Sequence, residues 1–312
     1  MTKRSFLIDT DTASDDAVAL LMALRDPGID VLAITVVAGN VPLEQAVQNA
    51  LFTVERAGRT DVPVFAGAAA PLERELFTAE FVHGTDGMGD IGLPLAGRRP
   101  SSGHAVDVLV ETIGSQPPGA LTLVTLGPLT NIALAFRRDP ALAARIGSMV
   151  VMGGTSDAVG NVSAAAEFNI FADPEAAAVV FASDASITMV GWDISRLYAV
   201  IDHDDAATIR GLGPLAALAM DIQAKVDVFA THETHLAGFD LPDPIAMAVA
   251  LDPRVATRVE HRNVVVETRG EFTAGQTVVD HLGLTGRPPN VHVVREASRA
   301  AFIALLHERL RG

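Results

Sequence analysis

Phe6-Leu7-Ile8-Asp9-Thr10-Asp11-Thr12-Ala13-Ser14-Asp15-Asp16, continued by the apolar run from Ala17 to Leu24, reads as a short strand, a tight turn and a helix. The strand ends in Asp9 and Asp11, and Asp15-Asp16 opens the helix. Carboxylates packed this densely repel one another by several kcal/mol unless a counter-charge sits among them. A hard divalent cation held by oxygen ligands is the usual remedy. Helix capping by Ser14 or Asp15 and complementation of the helix dipole account for one or two acids at a helix start. They leave Asp9 and Asp11, at the end of the preceding strand, unexplained.

Working outward, Ile29 to Ala38 is a nearly continuous β-branched run ending at Gly39-Asn40, the pattern of a strand buried on both faces. Glu44 to Ala57 reads as helix and Val62 to Gly67 as strand. His104 to Ser115 is again helix, and Leu121 to Leu126 and Ser148 to Gly154 are strands. This alternation predicts an α/β chain with a Rossmann-like, doubly wound, mostly parallel central sheet flanked by helices. In such sheets ligands sit outside the carboxyl ends of the strands, where Asp11 and Asn40 both fall. Asp204 to Leu236 reads as mostly helical, followed by a helix from Ile245 to Leu251. Asn263 to Thr268, Thr277 to Asp280 and Asn290 to Val294 read as a small antiparallel part, and Glu296 to Leu310 as a closing helix. No repeat or linker interrupts the chain, so residues 1–312 are expected to form one domain.

The totals narrow the classes. Hydrophobic residues make up 49% of 312, enough for a large core, and Ala supplies much of that apolarity. A net charge of −15 argues against a nucleic-acid partner. The chain has no cysteine, which excludes thiolate metal sites and suits a cytoplasmic protein, and no apolar run reaches membrane-spanning length.

Several polar stretches fall at strand ends. Gly127-Pro128-Leu129-Thr130-Asn131 follows one strand; Met152-Gly153-Gly154 ends another and leads to Asn161 and Glu167-Phe168-Asn169. Amide and carboxylate groups of Asn161, Glu167 and Asn169 suit vicinal hydroxyls, which both donate and accept. The Gly-rich segment His83 to Gly92 suits a mobile binding loop, and its irregular glycine spacing argues against a phosphate cradle. His232-Glu233-Thr234-His235 has its histidines three apart and lacks the zinc-protease spacing. The single Trp192 reads as packing, and with one Trp and one Tyr an aromatic sandwich looks poorly supplied.

Asp9-x-Asp11-x-x-x-Asp15-Asp16, the intact Gly127-Pro128-Leu129-Thr130-Asn131, the Met152-Gly153-Gly154 to Asn169 stretch and Leu241-Pro242-Asp243-Pro244 together resemble the nucleoside hydrolases, the inosine–uridine-preferring N-ribohydrolases. The resemblance covers most of the chain. It implies hydrolysis of the N-glycosidic bond of ribonucleosides by a metal-bound water, with Ca²⁺ held by Asp11, Asp16, Asp243 and the Leu126 carbonyl. Asp11 would be the general base. Asp15, Asn40, the Met152 backbone N–H, Asn161, Glu167, Asn169 and Asp243 would hold the ribose. It also implies a homodimer or homotetramer, with a nucleoside as the only partner.

The chain departs from the family at one place. Where the family usually has His-Asp-Pro, with the histidine as proposed proton donor to the leaving base, this chain has Pro242-Asp243-Pro244. Proline has no proton to give, which leaves His83, His232 and His235 as leaving-group candidates. Two other readings compete: a nucleoside- or ribose-binding member with weak or lost catalysis, and a haloacid-dehalogenase-type phosphatase built on Asp9-Thr10-Asp11-Thr12. The phosphatase needs a well-placed lysine, and Lys3 and Lys225 are the only two.

Overall fold

The computed structural model describes residues 3–233 and 235–311; Thr234, within the His232 to His235 stretch, lies outside them. Nine strands form the main sheet. β1 (Arg4–Thr10), β2 (Ile29–Val36) and β3 (Val64–Ala66) run to one edge, and β4 (Leu121–Thr125), β5 (Ser148–Met152) and β6 (Ile187–Val190) run the other way. A short hairpin, β7 (Val200–Ile201) with β8 (Phe239–Asp240), stands apart from it. β9 (Ala256–Val266), β10 (Thr277–Asp280) and β11 (Val291–Ala297) complete the order β10-β9-β11-β6-β5-β4-β1-β2-β3.

β1 pairs in parallel with both β2 and β4, so the chain reverses its direction of travel across the sheet at β1. That is the switch point at which doubly wound sheets open a crevice. The antiparallel C-terminal part extends the same sheet: β11 runs parallel to β6 and antiparallel to β9. β1 alternates between the two cores, Phe6 and Ile8 facing one and Leu7 the other.

The helix Ser14–Leu24 is buried along its whole length and packs against the helix Pro242–Leu251. Alanine recurs on both helices, at 17, 19 and 23 on one and at 246, 248 and 250 on the other. This pairing sets the first turns of the helices, with Asp15-Asp16 and Asp243, side by side. The second helix begins at Pro242, earlier than the expected Ile245, because prolines are tolerated in a first turn whose N–H groups have no intrahelical partner. β11 likewise continues to Ala297, and the closing helix starts at Arg299, with the Ser298 hydroxyl accepting from the Ala301 N–H at 3.2 Å. The stretch from 203 to 232 is three helices, His203–Arg210, Pro214–Asp221 and Ala224–His232. None of the described helices is long and apolar enough to cross a membrane.

Candidate active site

The crevice lies over the carboxyl ends of β1, β4 and β5 and is walled by the helix Ala224–His232. It is built from the sheet upward. Asp9 turns into the protein, where its Oδ1 accepts from both the Thr35 hydroxyl at 2.5 Å and Asn131 Nδ2 at 2.9 Å, while its buried Oδ2 has no hydrogen-bond partner among the described residues. Asn131 closes the layer by donating to the Val36 carbonyl and accepting from the Ala68 N–H. Asp9 is therefore architecture, and the adjacent acid pair needed for a phosphatase is not presented to a common ligand.

Asp11 is wholly buried. Its Oδ2 accepts the Asn40 N–H at 2.6 Å, while Oδ1 has no hydrogen-bond partner among the described residues. A methyl group on Gly39 or Gly127 would run into this carboxylate, so the two glycines form its socket. Asp16 Oδ1 takes the Thr10 hydroxyl at 2.5 Å and Oδ2 takes the Ala13 N–H at 2.9 Å. It thus caps its own helix, the role the sequence suggested for Ser14 or Asp15, while facing the other acids. Carboxylate oxygens of Asp15, Asp16 and Asp243 lie within 4.8 Å of one another. Asp11 adjoins this trio closely enough to feel the charges of Asp16 and Asp15 and to act on Asp243. Burial, with mutual repulsion added, lifts Asp16 to about 7 and holds Asp11 and Asp243 well above the carboxylate range. Four acids facing a site without a paired Lys or Arg among the described residues, with orphaned oxygens on Asp11 and Asp15, form a donor set that suits a hard cation.

Three further polar side chains of the crevice are held by main-chain groups. Glu167 accepts from the N–H groups of Gly154 (2.7 Å) and Asn169 (3.0 Å), and burial still pushes it up to about 7. Asn169 Nδ2 donates to the Leu126 carbonyl at 2.6 Å and to the Met152 carbonyl at 3.3 Å. Asn161 accepts from the Phe168 N–H at 2.9 Å. Asp15, Asn40, Leu126, Met152, Asn161, Glu167, Asn169 and Asp243 all line one cavity of about 770 Å³ of empty space, its open mouth included. Asp11 and Asp16 are fully buried and are not among its lining residues.

The three histidines separate. His83 is buried at the end of the helix Glu80–His83, lines the cavity, and has Nδ1 at 3.0 Å from Ser14 Oγ and 3.8 Å from Asp15 Oδ1. Burial lowers its pKa despite the nearby Asp15. His232 and His235 are exposed and are not part of the cavity wall. The Gly-rich loop is tied down rather than free. Asn49 donates to the carbonyls of Thr12 and Asp86, Asp86 Oδ1 accepts from the N–H groups of Met88 and Asp90, and Met88 is buried. An aromatic supply also exists, as phenylalanine. Phe81 and Phe229 stand edge to face at 5.9 Å, and Phe77 bridges Phe81 and Phe168. Trp192 packs under the Arg196 guanidinium and reaches the cavity as well. Counting Trp and Tyr alone hid these rings. Asp240, also in the wall, carries no motif and was legible only once β8 was placed.

Comparison with known proteins agrees with this geometry. The model of the inosine-uridine preferring nucleoside hydrolases matches residues 6–304. Pyrimidine-specific ribonucleoside hydrolase RihA of Salmonella agona (strain SL483) is 41% identical over 312 residues, 98% of this chain and 97% of its own. Among solved structures, the plant nucleoside hydrolase PpNRh1 superposes with a TM-score of 0.91 at 34% identity over 100% of both chains. The purine-preferring ribonucleoside hydrolase from Gardnerella vaginalis gives 0.90 at 31% identity over 99% of this chain and 98% of its own. The chain belongs to the inosine–uridine preferring nucleoside hydrolase family, enzymes that cleave the N-glycosidic bond of nucleosides.

Proposed function

We propose that this protein hydrolyses ribonucleosides to ribose and free base in a Ca²⁺-dependent reaction with Asp11 as general base. The observation that carries this reading is the convergence of Asp15, Asp16 and Asp243, with the orphaned Asp11 oxygen nearby, at a cavity also lined by Asn161, Glu167 and Asn169. Asp11, Asp16, Asp243 and the Leu126 carbonyl would hold the ion, with Asp15 at its edge. Bound there, Ca²⁺ supplies the positive charge that lets these acids ionise together, and it presents water and the sugar diol.

The rest falls to the chain's own groups. The transition state carries positive charge at the anomeric carbon, and the surrounding carboxylates stabilise it. Asp11, fixed through Oδ2 by Asn40, keeps Oδ1 free to take a proton from the attacking water. Asp15 and Asp243 accept from the ribose hydroxyls at one end. Asn161, Glu167, Asn169, Asn40 and the Met152 N–H hold the other hydroxyls and the ring. Phe81 and Phe229, both in the cavity wall, would offer apolar ring surface to a flat base.

A pyrimidine base is the first choice, since a relative 41% identical is named as pyrimidine-specific, against 31% for a purine-preferring one. The same reading makes the protein a cytoplasmic homo-oligomer of nucleoside salvage; the lack of cysteine suits a reducing compartment. The test is a panel of purine and pyrimidine nucleosides, with 2′-deoxy forms, scored for free base with Ca²⁺ and after chelation. Tight nucleoside binding without base release from any member would replace the enzyme with the binding protein that Pro242 suggests.

A further inference from the structure

When the C1′–N bond of a nucleoside breaks, its electron pair goes to the base, and an unprotonated base is a poor leaving group. Pro242 lines the cavity next to Asp243 and offers no proton. The wall that receives the base is apolar, formed by Phe81, Val226 and Phe229. β8, which packs against the helix carrying Val226 and Phe229, brings a carboxyl to that wall through Asp240. Asp240 is 8% exposed, and its Oδ2 accepts the Ser195 hydroxyl at 2.6 Å, which fixes the plane of the carboxyl group. Among the described residues no cation pairs with it. Of the described histidines only His83 lines the cavity; its Nδ1 is engaged with Ser14, and burial lowers its pKa, which disfavours the protonated imidazole that could give up a proton.

We propose that Asp240 is the catalytic acid that protonates the departing base, in the place left by Pro242. This rests on the nucleosidase reading above. In the step, the C1′–N bond breaks with its electrons going to the base, and the Asp240 O–H bond breaks with its proton going to the same base. The water oxygen bonds to C1′ while its proton goes to Asp11. One proton lost from Asp11 to solvent and one gained by Asp240 restore the enzyme. Burial, with the field of Asp15 added, lifts Asp240 to about 6, against hydrogen bonds from Ser195 and Trp192 that pull the other way. A general acid works best when its pKa lies near the operating pH.

The experiment compares two leaving groups. Uracil from uridine needs a proton, whereas p-nitrophenolate from p-nitrophenyl β-ribofuranoside leaves as a stable anion. Asp240→Asn keeps the shape and a partner for Ser195. It is expected to lower kcat/KM for uridine about a hundredfold or more while p-nitrophenyl riboside changes less than about threefold, the signature of a lost acid. An equal fall for both substrates, or none for either, overturns the assignment. If the variant does not fold, wild-type pH profiles decide. An alkaline fall for uridine that is absent for p-nitrophenyl riboside supports it, and the same profile for both overturns it. Wild type that releases neither product removes the nucleosidase reading itself.

Discussion

The Asn40 N–H donates to Asp11 Oδ2 at 2.6 Å, joining the segment after β2 to the segment after its neighbour β1, at the edge of the switch point between β1 and β4. That bond aims Asp11 Oδ1 away from Asn40, with no hydrogen-bond partner among the described residues. Asp11→Asn preserves shape and the acceptor for Asn40 but removes the base. Base release from nucleosides should fall by about 10² to 10⁴, the usual range for a lost general base. Circular dichroism should stay that of the wild type, since asparagine keeps the size of the side chain and the acceptor for the Asn40 N–H. Retained hydrolysis in this variant would exclude Asp11 as the base.

The socket around Asp11 predicts a contrast between glycines. An added methyl at Gly127 would lie 2.5 Å from Asp11 Oδ1 and 2.9 Å from its backbone N, so the neighbour that must yield includes main chain. Gly127→Ala is expected to cost about 1–3 kcal/mol through overpacking and to reduce activity by displacing Asp11. Gly114, inside the helix Ala105–Ser115, has nothing within 4 Å of an added methyl. Gly114→Ala should instead add about 0.5–1 kcal/mol by lowering the helix entropy cost, with unchanged kcat/KM. Urea unfolding of the two variants reads both signs.

How much of this was legible in the sequence follows from the range of the forces involved. β1, β2, β4 and β5 are buried on both faces, so their apolar runs stand out, and the residues at their carboxyl ends fall at one edge by topology alone. Asp243 was found by resemblance, and its placement beside Asp15 depends on two alanine-rich helices meeting. The roles of Asp9 and Asp16 could not be divided in advance, because Thr35 and Asn131 lie 26 and 122 residues from Asp9. The Gly-rich loop looked mobile because Asn49, which ties it down, sits in a different helix. His232 and His235 were plausible by proximity along the chain, which a helix end turned toward solvent does not honour.

Asn131 should prove to be a stability residue rather than a reacting one. Its side chain serves Asp9, the Val36 carbonyl and the Ala68 N–H, all from a buried position. Asn131→Ala takes this partner from the Val36 carbonyl and the Ala68 N–H and leaves Asp9 with the Thr35 hydroxyl, at about 1–3 kcal/mol for each buried group left without a bond. A clear drop in the urea midpoint is expected, with unchanged slope, and with Ca²⁺ saturation recovering part of the activity. A variant as stable as wild type would mean the layer beneath Asp11 is not held by these bonds.

Metal-free protein should lose stability as pH rises. In the folded state Asp9 and Asp16 are lifted to about 7 from an ordinary 3.8, and Glu167 to about 7 from 4.5, chiefly by burial. Between the unfolded and folded values the native chain therefore binds more protons than the unfolded one, so unfolding free energy falls with pH across that window. Asp11 and Asp243, lifted in the same direction, reinforce the slope. Bound Ca²⁺ favours the ionised carboxylates and opposes it, and because it binds the native state it also raises Tm by mass action. Thermal unfolding from about pH 5 to about pH 8 should thus show a falling Tm in chelator and a flatter, higher curve in excess Ca²⁺. A chelator curve that rises with pH would mean that these acids are already ionised and paired without the metal, and the cation site would have to be redrawn.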